Sequence, residues 1–228
     1  MEKKLSLFFI AIFILISEVY AMEPPKHVVL LGASVGRSWH IEDLPARIGI
    51  QNYRFEYVSE YQFDKTEALQ RILQRSGNKS DAIFIKACAA YFPRDQVQYQ
   101  AQMKTWVELC KGARVIPILT TVVPVIKGGS LQLRAKETIK WLLGKPTLES
   151  RLDGLLQYND WIRSFAKKEG LAVLDLEAAL RTNEEDRSLR IDLHSGDGLH
   201  LNKKAYDLLD RIVLPTLEHA FRKNLRNK

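Results

Sequence analysis

The chain has 228 residues, of which 46% are hydrophobic and 27% charged, a balance that supplies a substantial core and excludes a disordered or low-complexity protein. Its formal net charge of +7 points to anionic partners or to a solvated basic face, much of the excess lying in the ending FRKNLRNK.

Met1 to Ala21 has a short basic start, an apolar stretch from Leu5 to Ile16, and the small residues Val19 and Ala21 before a cleavage point. This is the pattern of a secretory signal peptide. It divides the chain into a leader, 1–21, and a single domain, 22–228, placed in the periplasm or outside the cell. The alternative is an uncleaved N-terminal membrane anchor, although Glu18 stops the apolar run short of the roughly 20 residues that a spanning helix needs. For an exported protein the basic charge suits an anionic envelope surface, and no nucleic-acid partner is expected.

Five short apolar runs read as strands: Val28 to Ala33, Phe55 to Ser59, Ala82 to Cys88, Val115 to Thr121 and Ala172 to Leu176. Helices are expected over Lys65 to Gln74, Asp95 to Lys111, Leu148 to Glu169 and Lys203 to Lys223, with Asn202 capping the last and Pro215 kinking or breaking it. Strands alternating with helices predict a three-layer α/β/α sandwich around a five-stranded parallel sheet. The long connection after the fourth strand, with Gly128-Gly129-Ser130 and the apolar Trp141-Leu142-Leu143, is either a surface helical excursion or a movable cover. Trp106, Trp141 and Trp161 read as packing residues unless exposed.

Two stretches carry chemistry. VVLLGASVG places Ser34 where the first strand leaves the sheet, the edge at which ligands of open α/β sheets collect. DGLH near the other end sets Asp197 three residues before His200. A serine hydroxyl needs an imidazole to take its proton and a carboxylate to hold that imidazole. Ser34, His200 and Asp197 supply the three in a permitted chain order. Read singly, Asp197 is a turn cap and His200 a surface residue.

GASVG at Gly32 to Gly36 and DGLH at Asp197 to His200 resemble the nucleophile and Asp-x-x-His blocks of the SGNH hydrolases, also called GDSL-type esterases and lipases. The resemblance implies a flavodoxin-like sandwich, with Ser34 as nucleophile, His200 as base and Asp197 as its orienter. It also implies substrates that are small esters, lipids or acylated carbohydrates, and no cofactor or metal. Two blocks depart from the pattern: Phe63 or Asp64 stands where the family has a Gly, and Cys88 and Ala90 stand where it has Gly-x-Asn. The oxyanion donors left are the Ser34 amide, an amide of Ala89 or Ala90, and the Tyr91 hydroxyl. Hydrolysis through an acyl-serine is the expected activity, and a carbohydrate O-acyltransferase or an inactive ligand-binding protein are the alternatives.

Other polar groups leave choices open. Lys86, inside the third strand run, either pairs with Asp64 or Glu60 or faces the crevice as an oxyanion or carboxylate partner. Asp175 and Glu177 either cap the next helical turn or join a polar network. His194, Asp197 and His200 form only a weak metal set, with the histidines six residues apart. Cys88 and Cys110 lie at opposite ends of a strand and helix unit and are expected as free thiols, with Cys88 a lesser alternative to Ser34 as nucleophile.

Overall fold

The computed structural model describes residues 24–93 and 95–226, so the leader 1–21 lies outside the described residues. Five strands, β1 (Lys26–Gly32), β2 (Tyr53–Ser59), β3 (Ala82–Ile85), β4 (Ile116–Thr120) and β5 (Ala172–Leu174), form one sheet in the order β2-β1-β3-β4-β5. Every pairing is parallel. Val28 to Leu31 in β1 and the whole of β3 are fully buried, as central strands covered on both faces must be. The all-parallel order places all five carboxyl ends on one edge, with the reversal of strand order between β1 and β3.

Helices cover both faces. On one side α1 (Ser34–Trp39) and α2 (Leu44–Ile48) pack with the last helix, α8 (Lys203–Arg226). A buried polar clamp joins them: Trp39 Nε1 donates to Asp210 Oδ1 at 2.7 Å, and Arg47 Nε donates to Asp210 Oδ2 at 2.7 Å. On the other side α3 (Thr66–Leu73), α4 (Gln96–Gly112) and α6 (Leu148–Glu169) share an aromatic layer. Tyr99 and Tyr158 meet edge to face at 5.1 Å, and Trp106 Nε1 donates to Thr66 Oγ1 at 2.9 Å.

The third strand ends at Ile85 rather than Cys88. The Lys86 amide still reaches the Leu31 carbonyl at 3.0 Å, but Ala89–Tyr91 then turn as a 3-10 helix and leave the ladder. Helix α8 runs on through Pro215, held by buried Leu209, Val213 and Leu217 in the adjoining turns. Asn202 caps it as expected, its Oδ1 accepting from the Ala205 amide at 3.2 Å. The long connection folds as α5 (Leu131–Leu142), a surface helix with Leu131, Ile139, Trp141 and Leu142 exposed. A short α7 (Leu176–Leu180) follows β5, and no helix among the described residues is long and apolar enough to cross a membrane. Cys88 and Cys110 are both free, and burial pushes the Cys110 thiol up to about 12.

Candidate active site

Ser34 is the first residue of α1, two residues past the end of β1. Its turn is fixed from the neighbouring edge strand. Tyr57 Oη donates to the carbonyls of Gly32 and Ala33 at 3.1 and 3.0 Å, and Gly36 leaves room for that ring, since a Cβ there would stand 2.8 Å from Tyr57 Cε2. The Ser34 hydroxyl takes no hydrogen bond among the described residues, so it is available to a base.

The second half of the site is a loop closed by a bridge between His194 and Leu201. Inside it Asp197 does two jobs. Oδ1 accepts from the Leu199 and His200 amides at 2.9 and 2.8 Å, which is the turn-capping role, while Oδ2 meets His200 Nδ1 at 2.6 Å. Burial alone would raise the Asp197 carboxyl, but the bonds from the His200 ring and the two amides outweigh it and hold the group at about 2. With Oδ2 ionised, Nδ1 carries the proton and Nε2 is left as an acceptor. No residue among those described takes Nε2.

Gly198 makes this loop possible. Its φ is +76°, and an added Cβ would lie 2.8 Å from Ile126 Cγ1 and 2.9 Å from Leu148 Cδ1. Its carbonyl accepts from the Ile126 amide at 3.1 Å, so the loop seats against the root of the α5 excursion. Gly198→Ala is expected to cost about 2 to 3 kcal/mol through left-handed strain and overpacking. Thermal unfolding checks this, and a melting temperature equal to that of the native chain would contradict the packing described.

The two halves meet in a narrow cleft at the carboxyl edge of the sheet, lined by Ser34, Val35, Lys86, Cys88, Ala89, Val122, Val123, Leu199 and His200. Larger hollows lie elsewhere. One sits at the amino ends of β4 and β5, at the opposite edge of the sheet, and another beside Trp141. Among the described residues, the smaller cleft is where a hydroxyl and an imidazole oriented by a carboxylate come together, which makes it the candidate site. Ser34 and His200 line this cleft with no hydrogen bond between them, which does not exclude a base and its proton donor in a ligand-free chain.

The oxyanion candidates separate. Ser34 and Ala89 line the cleft, whereas Ala90 is exposed and outside it. Tyr91 also points away: its hydroxyl bonds the Gln62 carbonyl at 2.9 Å and the Lys65 ammonium at 2.9 Å. Lys86 pairs with neither Asp64 nor Glu60. Lys65 instead takes the Glu60 carbonyl, at 2.8 Å, and Asp64 caps Thr66. His194 is occupied through Nδ1 by the Gly196 amide at 2.9 Å.

A polar network at Asp175 and Glu177 was one of two roles expected from the sequence, but sequence reasoning overlooked the residues that complete it behind the far wall. Asn159, fully buried on α6, receives the Val122 amide at 2.7 Å and donates to the Val122 carbonyl at 2.9 Å. Its amide also donates to Glu177 Oε2 at 2.8 Å, and Glu177 is gripped by Arg187 and Arg163. Asp175 both caps α7, accepting from Ala178 at 3.1 Å, and joins this network through Thr121 and Arg163. On the other side Arg151 ties the carbonyls of Ala90 and Phe92 at 3.0 and 2.9 Å, ordering the turn after β3. Neither role has a local sequence signal.

No family model matches the sequence, and no curated protein matches it either. Solved structures do match in fold. A GDSL-like lipase from Bacteroides thetaiotaomicron superposes with a TM-score of 0.62 at 18% identity, covering 90% of this chain and 95% of that one. A protein of Slackia heliotrinireducens assigned to the SGNH hydrolases gives 0.61 at 16% identity, over 85% and 99% of the two chains. A catalytic mutant of an acetylxylan esterase from Geobacillus stearothermophilus gives 0.57 at 14%, over 86% and 95%. At such identities the likeness establishes the fold.

Proposed function

We propose that this chain, whose fold is that of the SGNH hydrolases, hydrolyses a carboxylic ester through an acyl-serine intermediate. The observation that carries the reading is the Asp197–His200 contact of 2.6 Å on the loop that brings His200 into one cleft with Ser34. Ser34 Oγ attacks the ester carbonyl carbon and gives its proton to His200 Nε2. The tetrahedral intermediate collapses as the C–O bond to the alcohol breaks, and His200 returns the proton to the leaving oxygen. Water, activated by the same imidazole, then releases the acid and restores Ser34. Asp197 holds the tautomer throughout and pairs with the imidazolium.

The cleft is narrow and walled by Val35, Val122, Val123 and Leu199, which supports a short acyl group. The acetylxylan esterase among the structural neighbours makes an acylated carbohydrate a natural first substrate to try. We further propose export through the leader 1–21, with the mature chain facing an anionic envelope surface.

Intact-mass analysis after treatment with a fluorophosphonate tests the nucleophile. One adduct is expected, mapping to Ser34 and absent from Ser34→Ala, which should retain the native melting temperature and lose ester turnover. A well-folded native chain that takes no adduct would refute an activated serine and leave a binding protein. Partition of the acyl group to an added sugar rather than to water would reassign the activity to acyl transfer.

A further inference from the structure

Two lysines lie buried near this cleft, and they differ in how their charge is met. Lys65 is fully buried, and its ammonium donates to the Glu60 carbonyl at 2.8 Å, the Gln62 carbonyl at 3.0 Å and Tyr91 Oη at 2.9 Å. Three donors have three acceptors. Burial, and next the charge of Lys86, depress its pKa to about 8. Lys65 therefore has a structural occupation, fastening the turn after β2 to Tyr91.

Lys86 has none of comparable extent. It is 1% exposed, and its ammonium donates to a single acceptor, the carbonyl of Ala87 at 3.0 Å. Among the described residues no carboxylate pairs with it. An unpaired buried cation costs several kcal/mol, and an apolar chain of similar volume would avoid that cost. Its placement supplies the reason. The side chain leaves β3 and lies over Gly32, where a Cβ would stand 3.2 Å from Lys86 Cβ and 3.4 Å from Cδ, and it lines the cleft with Ser34, Ala89 and His200. Gly32 thus lets the lysine pass directly beneath the nucleophile turn. Lys86 lines the same cleft as Ser34 and His200, where an ester oxygen held by Ser34 would carry negative charge.

We propose that the Lys86 ammonium stabilises the oxyanion of the tetrahedral intermediate, doing by charge what the missing Gly and Gly-x-Asn donors would do by dipoles. When Ser34 Oγ bonds to the carbonyl carbon, the C=O π pair moves onto oxygen, and the two unspent N–H groups of Lys86 receive it together with the Ala89 or Ser34 amide. On collapse the pair re-forms C=O and expels the alcohol oxygen, which takes its proton from His200; Lys86 keeps all its protons. With one acceptor, the Ala87 carbonyl, in the resting chain, Lys86 gains most from pairing when the oxyanion forms and least in the ground state. This assignment rests on the ester-hydrolysis reading.

The test uses the full chain and p-nitrophenyl acetate, with Ser34→Ala, Lys86→Met and Lys86→Gln. For Lys86→Met, kcat is expected to fall about a hundred- to a thousandfold. KM should stay within about threefold and the melting temperature should hold or rise, because the change binds no less substrate and removes an unpaired charge. A purely structural lysine would give the reverse, a lower melting temperature with native kcat in the folded protein. Lys86→Gln keeps an N–H donor without the charge, guards against misfolding of the first variant, and should also lose kcat. Native kcat in either folded variant, with Ser34→Ala inactive, would overturn the role of Lys86 and leave the esterase reading standing. Hydrolysis by the native chain that does not need Ser34 would overturn both.

Discussion

Asp197→Asn is expected to lower kcat by roughly a thousandfold or more while leaving the fold almost untouched. The reason is which oxygen is already committed. Oδ1 accepts from the Leu199 and His200 amides, so only the carbonyl oxygen of an asparagine can replace it. The NH2 group is then forced into the Oδ2 position, 2.6 Å from His200 Nδ1 in the native chain. A donor facing Nδ1 makes that nitrogen the acceptor, moves the ring proton to Nε2, and leaves Ser34 facing a nitrogen that cannot take its proton. The turn keeps both of its capped amides, so the melting temperature should change little. An asparagine variant retaining more than a tenth of native kcat would show that the contact does not set the tautomer. Because the Asp197 carboxyl is held at about 2, a fall in activity on mild acidification cannot arise from its titration.

The largest effect on stability is expected at Glu177, which is fully buried behind the cleft wall. Oε1 accepts from Arg187 Nε at 2.6 Å, and Oε2 accepts from Arg187 Nη2, Arg163 Nη2 and Asn159 Nδ2 at 2.8, 2.9 and 2.8 Å. Arg181 Nη1 also reaches Oε1, at 3.5 Å, so Glu177→Ala leaves the buried Asn159 amide and three guanidinium groups short of an acceptor. Breaking a buried pair from one side costs about 3 to 5 kcal/mol, and the partial exposure of the three arginines argues for the lower figure. For a domain of this size, about 3 kcal/mol corresponds to a drop of roughly 6 to 12 °C in melting temperature. The sign with pH follows from the carboxyl. Burial pushes Glu177 up, but the bonds from Arg187, Arg163 and Asn159 outweigh it and hold the group below its usual value. Its stabilisation is therefore present above the unfolded value of about 4.3 and is lost as pH falls towards the lower folded value. Glu177→Gln should flatten that part of the acid slope. A melting temperature within about 1 °C of native in Glu177→Ala would mean the network adds nothing.

How far the sequence carried this picture depends on whether the signal was local. The strands were legible because runs such as Val28 to Leu31 have nowhere to go but a sheet covered on both faces. Helix α6 was legible because Leu152, Leu155, Leu156, Trp161, Ile162 and Phe165 recur at roughly helical spacing. Ser34, Asp197 and His200 stood out because each block is contiguous. What was not legible depends on distant pairs. Tyr57 steadies the nucleophile turn from a neighbouring strand, and Glu177 collects partners from α6 and from the loop at Arg187. Short α1, α2 and α7 carry too few turns to show a period. Lys86 was conspicuous as a charge in an apolar run, but its neighbour Lys65 drew no notice although it lies just as deep.

The clamp of Trp39 and Arg47 on Asp210 has a consequence for the order of assembly during synthesis. The serine and its strand leave the ribosome early, yet the helix carrying that serine is fastened by a residue of the last helix, and His200 immediately precedes the same helix. A nascent chain lacking α8 therefore has Ser34 without the anchor of its helix and His200 without the helix that follows its loop. Contacts between the first and last parts of a chain close late, after the sheet between them has formed. On the ester-hydrolysis reading, reactivity of Ser34 towards a fluorophosphonate is expected to report on completion of the polypeptide, silent in fragments that lack the final helix and present once it has docked.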